Sequence, residues 1–272
     1  MYFAFRVVAA MAGYILIVGS VFGLAQVPNG AALIPLAAYV ILIILYLFFS
    51  LGVLVGYLKG NAVKVTQKQF PDIYKIVQDQ CQRLDMKVPD VYILQSGGVL
   101  NAFATQFIGS KYIVLYSDVL EEAYQGNLEA VEFVIGHELG HIKRNHLNKK
   151  LLLFPSFIVP FLNRAYSRGC EYTCDNIGAA LSPAGASQGL LLLAAGKQLW
   201  RKVNPLEFTA QTDTEGGFWH WFAEKVSSHP HLNKRVERFP NQKPANVQGR
   251  RAQETVTIQE IKSDHSAYLP NS

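Results

Sequence analysis

His137-Glu138-Leu139-Gly140-His141 is the stretch on which the reading of this chain turns. One helical turn brings positions i and i+4 onto the same face. His137 and His141 can therefore grip one metal ion from a single helix, and Glu138 sits about 100° further round, within reach of a water on that metal. Two imidazole ligands and one carboxylate base are the equipment for hydrolysis by zinc-activated water. Around the pentapeptide, Leu128, Val131, Val134, Ile135, Leu139 and Ile142 recur at helical spacing with no proline, which predicts a helix over 128–147. Gly136 and Gly140 cost that helix roughly 1 kcal/mol each relative to alanine. Their return is that another element can approach closely.

A metal centre needs a third ligand. Structural zinc sites use four protein ligands, whereas catalytic ones use three and keep a position open. A His-x-x-Gly-x-x-His continuation would need Gly at 144 and His at 147, and Arg144 and Leu147 stand there instead. The alternative is an acidic residue on a later helix. Glu171 and Asp175 form an i, i+4 pair within Ser167-Arg168-Gly169-Cys170-Glu171-Tyr172-Thr173-Cys174-Asp175. Glu171 can bind the metal while Asp175 accepts a hydrogen bond from a ligand histidine and sets its tautomer. Arg168 is expected to orient Glu171, contact substrate or form a structural ion pair. His146, five positions past His141, is expected at the surface. Cys170 and Cys174 are expected in the core, because a thiolate ligand would close the open position.

The chain has 272 residues, half of them hydrophobic, with net charge +5. No basic run interleaved with aromatics supports a nucleic-acid partner. The apolar excess lies mostly in the first 58 residues. Residues 7–27 carry no charge and can span a bilayer. Pro28-Asn29-Gly30 is turn chemistry. Residues 31–58 form a second uncharged stretch, roughly 42 Å long as a helix against a hydrocarbon core of about 30 Å. A cleaved signal peptide is the rival reading of the first stretch, but its apolar run exceeds an h-region and a second span follows at once. Arg6 precedes span one, Lys59, Lys64 and Lys68 follow span two, and the turn has no Lys or Arg. The positive-inside rule then puts both ends in the cytoplasm. The odd cysteine count of three suits that reducing compartment.

The remainder predicts an α+β fold. A helix is expected over 71–84, strands over 91–94, 99–107 and 112–116, and a helix over 187–200. Residues 151–162 are apolar, hold Pro155 and Pro160, and are too short to cross a bilayer. They form a core segment or dip into the membrane face, and the two prolines favour the latter. Phe218-Trp219-His220-Trp221-Phe222 fits an interfacial belt or core packing equally. The domains expected are a transmembrane hairpin over 1–60, a mainly helical zinc-binding domain with a small β-sheet over 61–240, and a loose polar tail over 241–272.

His-Glu-Leu-Gly-His followed by Ser-Arg-x-x-Glu-x-x-x-Asp resembles the M48 family of membrane-associated zinc metallopeptidases. Asn101-Ala102-Phe103-Ala104 is similar to that family's segment beside the strand that presents substrate. Ser228-His229-Pro230 with Arg235 is similar to its late His-Pro segment. The resemblance covers roughly 65–240. It implies a gluzincin-like domain, one Zn²⁺ per chain, polypeptide substrates that include misfolded or membrane-associated proteins, and a bacterial inner-membrane location. It also implies that His229 lies near the zinc, where its imidazole would donate to an oxyanion. The chain departs from the pattern: HtpX-type members commonly have two more spans after the zinc helix, and only thirty residues separate His141 from Glu171 here. A multi-span chamber for isoprenylated peptides has no room. A structural zinc site in a non-enzymatic membrane protein, and a zinc hydrolase acting on a non-peptide bond, are the competing classes. An intact Glu138 weighs against the first.

Overall fold

The computed structural model describes residues 2–26, 33–95, 102–107 and 109–240. The turn at 28–30, Asn101 and the tail from 241 lie outside the described residues. Two long apolar helices open the chain, α1 (Tyr2–Ala25) and α2 (Leu33–Asn61). Both are long and apolar enough to cross a membrane, and most of each is exposed.

Four strands follow in one mixed sheet: β1 (Val63–Lys64), β2 (Asp90–Leu94), β3 (Ala102–Phe107) and β4 (Ser110–Tyr116), ordered β1-β2-β4-β3. β2 and β4 run parallel, while β3 pairs antiparallel with β4 from Ala102–Leu115 to Phe107–Ser110. β3 therefore forms an edge. The period-2 alternation of β4 serves two cores. Ile113 and Leu115 point into the main core, and Tyr112 packs with Tyr92 against Val55 near the end of α2. That second contact ties the sheet to the apolar helix.

The main core centres on α5 (Leu128–Lys143), which buries Val131, Ile135 and Leu139 against α3 (Pro71–Arg83), α4 (Ser117–Tyr124), α7 (Leu162–Leu181) and α8 (Gly185–Leu199). Absent side chains let α5 and α7 approach. A Cβ on Gly136 would lie 3.1 Å from the Cα of Gly178, and one on Gly140 3.3 Å from the Cα of Cys174. The two glycines of the metal-binding pentapeptide and its neighbour thus set the depth at which α7 docks. Three short helices complete the domain: α9 (Pro205–Thr214), α10 (Phe218–Val226) and α11 (Leu232–Glu237).

The helix expected over 128–147 breaks earlier. α5 ends at Lys143, Asn145 takes a left-handed φ of 54°, and α6 (His146–Leu152) leaves in a new direction. The apolar periodicity had no way to register this, because α6 continues the helical pattern after a turn that asparagine tolerates. Residues 151–162 are split: Leu153, Pro155 and Ser156 are buried, Leu151, Phe154 and Phe157 are exposed, and Phe154–Ile158 form a short 3₁₀ helix against α1.

Candidate metal centre

α5 presents both histidines of the pentapeptide on one face. Their Nε2 atoms lie 3.2 Å apart. α7 places Glu171 opposite, with Oε2 3.4 Å from His137 Nε2 and Oε1 3.4 Å from His141 Nε2. Two donors held by one tetrahedral zinc ion at 2.0–2.1 Å are about 3.3 Å apart. The three side chains therefore fit a metal of that size, and all three are buried or nearly so. Burial works against charge on His137 and Glu171, but the contacts outweigh it. Hydrogen bonds to Asp175 and Glu171 raise His137 to about 9. The two imidazoles hold the Glu171 carboxyl well below the usual carboxylate range.

Asp175, one turn beyond Glu171, accepts from His137 Nδ1 at 3.0 Å. In the neutral imidazole that a metal takes, that bond leaves Nε2 as the lone pair facing the metal position. The Asp175 carboxylate is itself gripped by Arg235 of α11, with Nε 2.8 Å from Oδ2 and Nη2 2.6 Å from Oδ1. Such a bidentate fork is available to arginine and not to lysine. Arg235 Nη1 also lies 3.9 Å from Glu171. The sequence linked Arg235 only to the late His-Pro segment and assigned it no contact.

His146 is a correction to the sequence reading. It is 6% exposed, and its Nδ1 lies 3.1 Å from Nδ1 of His141. Burial, then the positive neighbours His141, Lys149 and Lys150, lower it to about 3, so it is neutral and can accept a hydrogen bond. The left-handed turn at Asn145 swings it back under His141, which an extended α5 would not do. Both metal-facing histidines thus have a partner on the opposite ring nitrogen: Asp175 for His137, His146 for His141. Cys174 Sγ is 3.7 Å from His146 Nδ1. Cys170 and Cys174 are buried, with burial pushing both thiols up.

A cleft of about 220 Å³ opens over these residues. Glu138 lines it beside the two ligand histidines, as do Ala102, Phe103 and Ala104 of the edge strand and His229. His229 is 61% exposed, with Nε2 3.6 Å from Glu171. Its Nδ1 lies 2.9 Å from the Ser228 hydroxyl. A proton donated by that hydroxyl leaves Nε2 as the N–H that faces the cleft. Arg168 does not reach Glu171 in the contacts described. It donates Nη1 to the carbonyls of Glu224 at 2.7 Å, Lys225 at 3.1 Å and Ser227 at 2.9 Å. It therefore anchors the backbone that leads into His229.

Residues 67–159 match Peptidase family M48. A Streptococcus uberis "Protease HtpX homolog" is 34% identical over 142 residues, covering 52% of this chain and 43% of that protein. The "Plastoglobule-localized metallopeptidase 48, chloroplastic" of Arabidopsis thaliana is 28% identical over 155 residues, covering 50% and 44%. An HtpX homolog of Streptococcus pyogenes serotype M5 is 37% identical over 84 residues, 31% and 27%. Over residues 67–159 the chain is thus similar to the M48 peptidases. Two of these similar proteins carry the name HtpX homolog. The matches span less than half the length of these relatives. The matched family segment also ends before Glu171, Asp175, His229 and Arg235, so the roles of those four rest on geometry.

Proposed function

We propose that this protein is a membrane-anchored, zinc-dependent endopeptidase. The observation that carries the proposal is the convergence of His137, His141 and Glu171 on one point beneath a cleft that also holds Glu138. Zinc bound there would supply Lewis acidity toward the scissile carbonyl and bring the pKa of a coordinated water from 15.7 to about 7. Glu138 accepts the proton of the attacking water and returns it to the leaving amine. His229, through its Nε2–H, donates to the carbonyl oxygen as negative charge builds there, an interaction typically worth about 2.7–4 kcal/mol. The edge of β3 at Ala102, Phe103 and Ala104 pairs with an extended peptide backbone, which favours tolerance of substrate sequence. Asp175 and Arg168 bind no substrate: the first orients His137, the second holds the strand of backbone that carries His229.

In this reading α1 and α2 are a transmembrane hairpin, both chain ends and the peptidase domain face the cytoplasm, and the membrane is a bacterial inner membrane. The substrates are misfolded or membrane-associated polypeptides, in keeping with membrane protein quality control. The test is cleavage of an unfolded polypeptide by the detergent-solubilised full chain, wild type against Glu138→Gln. Loss of cleavage with zinc retained supports the assignment. Undiminished cleavage by Glu138→Gln removes Glu138 as the base and with it the mechanism.

A further inference from the structure

Residues 151–161 lie beside α1 at a depth that can be reckoned. Along α1 the residues Arg6, Ala9, Ala10 and Gly13 are buried, an i, i+3, i+4, i+7 stripe facing the domain. A Cβ on Gly13 would meet Pro155 Cβ at 2.6 Å, so the proline ring sits against bare helix backbone. Tyr14 donates its hydroxyl to the Leu152 carbonyl at 2.9 Å, and Arg6 Nε donates to Ser156 Oγ at 2.8 Å. Arg6 also lies over the Tyr166 ring of α7 at 4.5 Å. Gly13 is twelve residues from the end of α1 at Ala25, about 18 Å at 1.5 Å per residue. Arg6 is nineteen residues away, about 28 Å. A hydrocarbon core is about 30 Å thick. If α1 crosses it, Arg6 sits near the domain-side interface and Pro155 well inside.

The outward side of this segment has the composition that such a depth demands. Leu151 is 74% exposed and Phe157 54%, and Leu152, Phe154 and Ile158 are exposed with them. No charged residue occurs between Lys150 and Arg164. Cations at both ends of an apolar run are placed to reach headgroups while the run stays in hydrocarbon. α10 continues the surface: Phe161 contacts Phe222 at 6.3 Å between ring centroids, and Trp219 is 76% exposed. Amphipathic aromatic rings favour the headgroup level.

We propose that residues 151–161 form a re-entrant foot inside the domain-side leaflet, in contact with lipid acyl chains, with the aromatic face of α10 riding at its surface. The occupant of this apolar face is the phospholipid bilayer, because the face is continuous with the apolar helix α1 against which it packs. The foot follows directly on α6, whose His146, Leu147 and Lys150 line the cleft. The cleft is thereby held at the membrane surface and receives polypeptide segments that emerge from the bilayer. This rests on the proposed transmembrane reading of α1 and α2.

Depth-dependent tryptophan quenching in the full chain, reconstituted in phosphatidylcholine vesicles, tests it. The three native tryptophans are reduced to one at a time by Phe substitution, and Phe157→Trp and Leu16→Trp are built on the tryptophan-free background. Lipids brominated deep in the chain should quench Phe157→Trp at least twofold more than Trp200, and Trp219 should respond most to bromines near the carbonyls. Phe157→Trp quenched no more than Trp200, with Leu16→Trp strongly quenched, overturns the foot and leaves the spans standing. Failure of both to quench overturns foot and spans together. Phe157→Trp shielded from lipid but crosslinked to a second copy assigns the face to a dimer and also overturns the proposal.

Discussion

Asp175 and Arg235 are joined by two hydrogen bonds of 2.8 and 2.6 Å, and neither residue is more than 5% exposed. Asp175 spends its remaining capacity on His137. The orientation of a metal-facing imidazole therefore depends on a residue ninety-eight positions further along the chain. Arg235→Ala should leave an uncompensated buried carboxylate and cost about 3–5 kcal/mol of stability. Zinc affinity should also fall, by about 10–100-fold. Arg235→Lys should recover little, since an ammonium cannot make the fork. Thermal midpoints and zinc competition assays on the three proteins check this. Wild-type zinc affinity in Arg235→Ala would show that Asp175 needs no partner.

His146 supports the other ligand histidine from a position the sequence assigned to the surface. His146→Ala should weaken zinc binding about tenfold or more by freeing the His141 ring. His146→Asn should recover part of the loss, because its side-chain oxygen can accept the same proton. Zinc affinity measured with a competing chelator is the readout. Equal affinity in wild type and His146→Ala would reduce the 3.1 Å contact to packing.

Gly178 has no room for a side chain. A Cβ there would lie 2.9 Å from the Phe133 carbonyl oxygen and 3.0 Å from its ring. Gly178→Ala should push α7 away from α5 at a cost of about 1–3 kcal/mol. Glu171 rides on α7, so zinc affinity should fall with stability. Chemical denaturation and zinc titration test the coupling. A destabilised variant with unaltered zinc affinity would mean that the two helices shift without moving the ligand.

Removing the metal should abolish activity while the fold survives. The main core along α5, α8 and the sheet is apolar and includes none of the three ligands. A bound ligand adds only the free energy of its own occupancy, about 2.7 kcal/mol at a hundredfold excess over Kd. Chelation should lower the thermal midpoint by a few degrees and leave far-UV circular dichroism nearly unchanged, with activity restored by zinc. Collapse of the helical signal on chelation would make the site structural.

Much of the centre was legible because its chemistry is local. His137, Glu138 and His141 share one helical turn, and Glu171 with Asp175 share another, so helix periodicity alone brings each set onto a face. The strands at 91–94 and 112–116 announced themselves by β-branched and aromatic runs of strand length, and both occur within β2 and β4. The two long apolar helices were equally plain, since each holds an uncharged run of helical length.

What the linear pattern could not carry was the contact made across elements. His146 looked like surface because the helix was extended through Asn145, whose left-handed φ separates α5 from α6. Arg168 was expected to orient Glu171, contact substrate or form a structural ion pair, yet it closes on carbonyls of residues 224, 225 and 227. Residues 151–162 read as a core segment or one dipping into the membrane face, with the prolines favouring the latter, and the structure buries Leu153 and Pro155 while leaving Leu151, Phe154 and Phe157 exposed. The sequence by itself determined which side chains can bind a metal, and which segments are apolar enough to enter a membrane. Only the tertiary structure decided which groups orient those ligands and how the domain rests on α1. Such bonds form between residues that packing alone brings together, and packing depends on the shape of both partners.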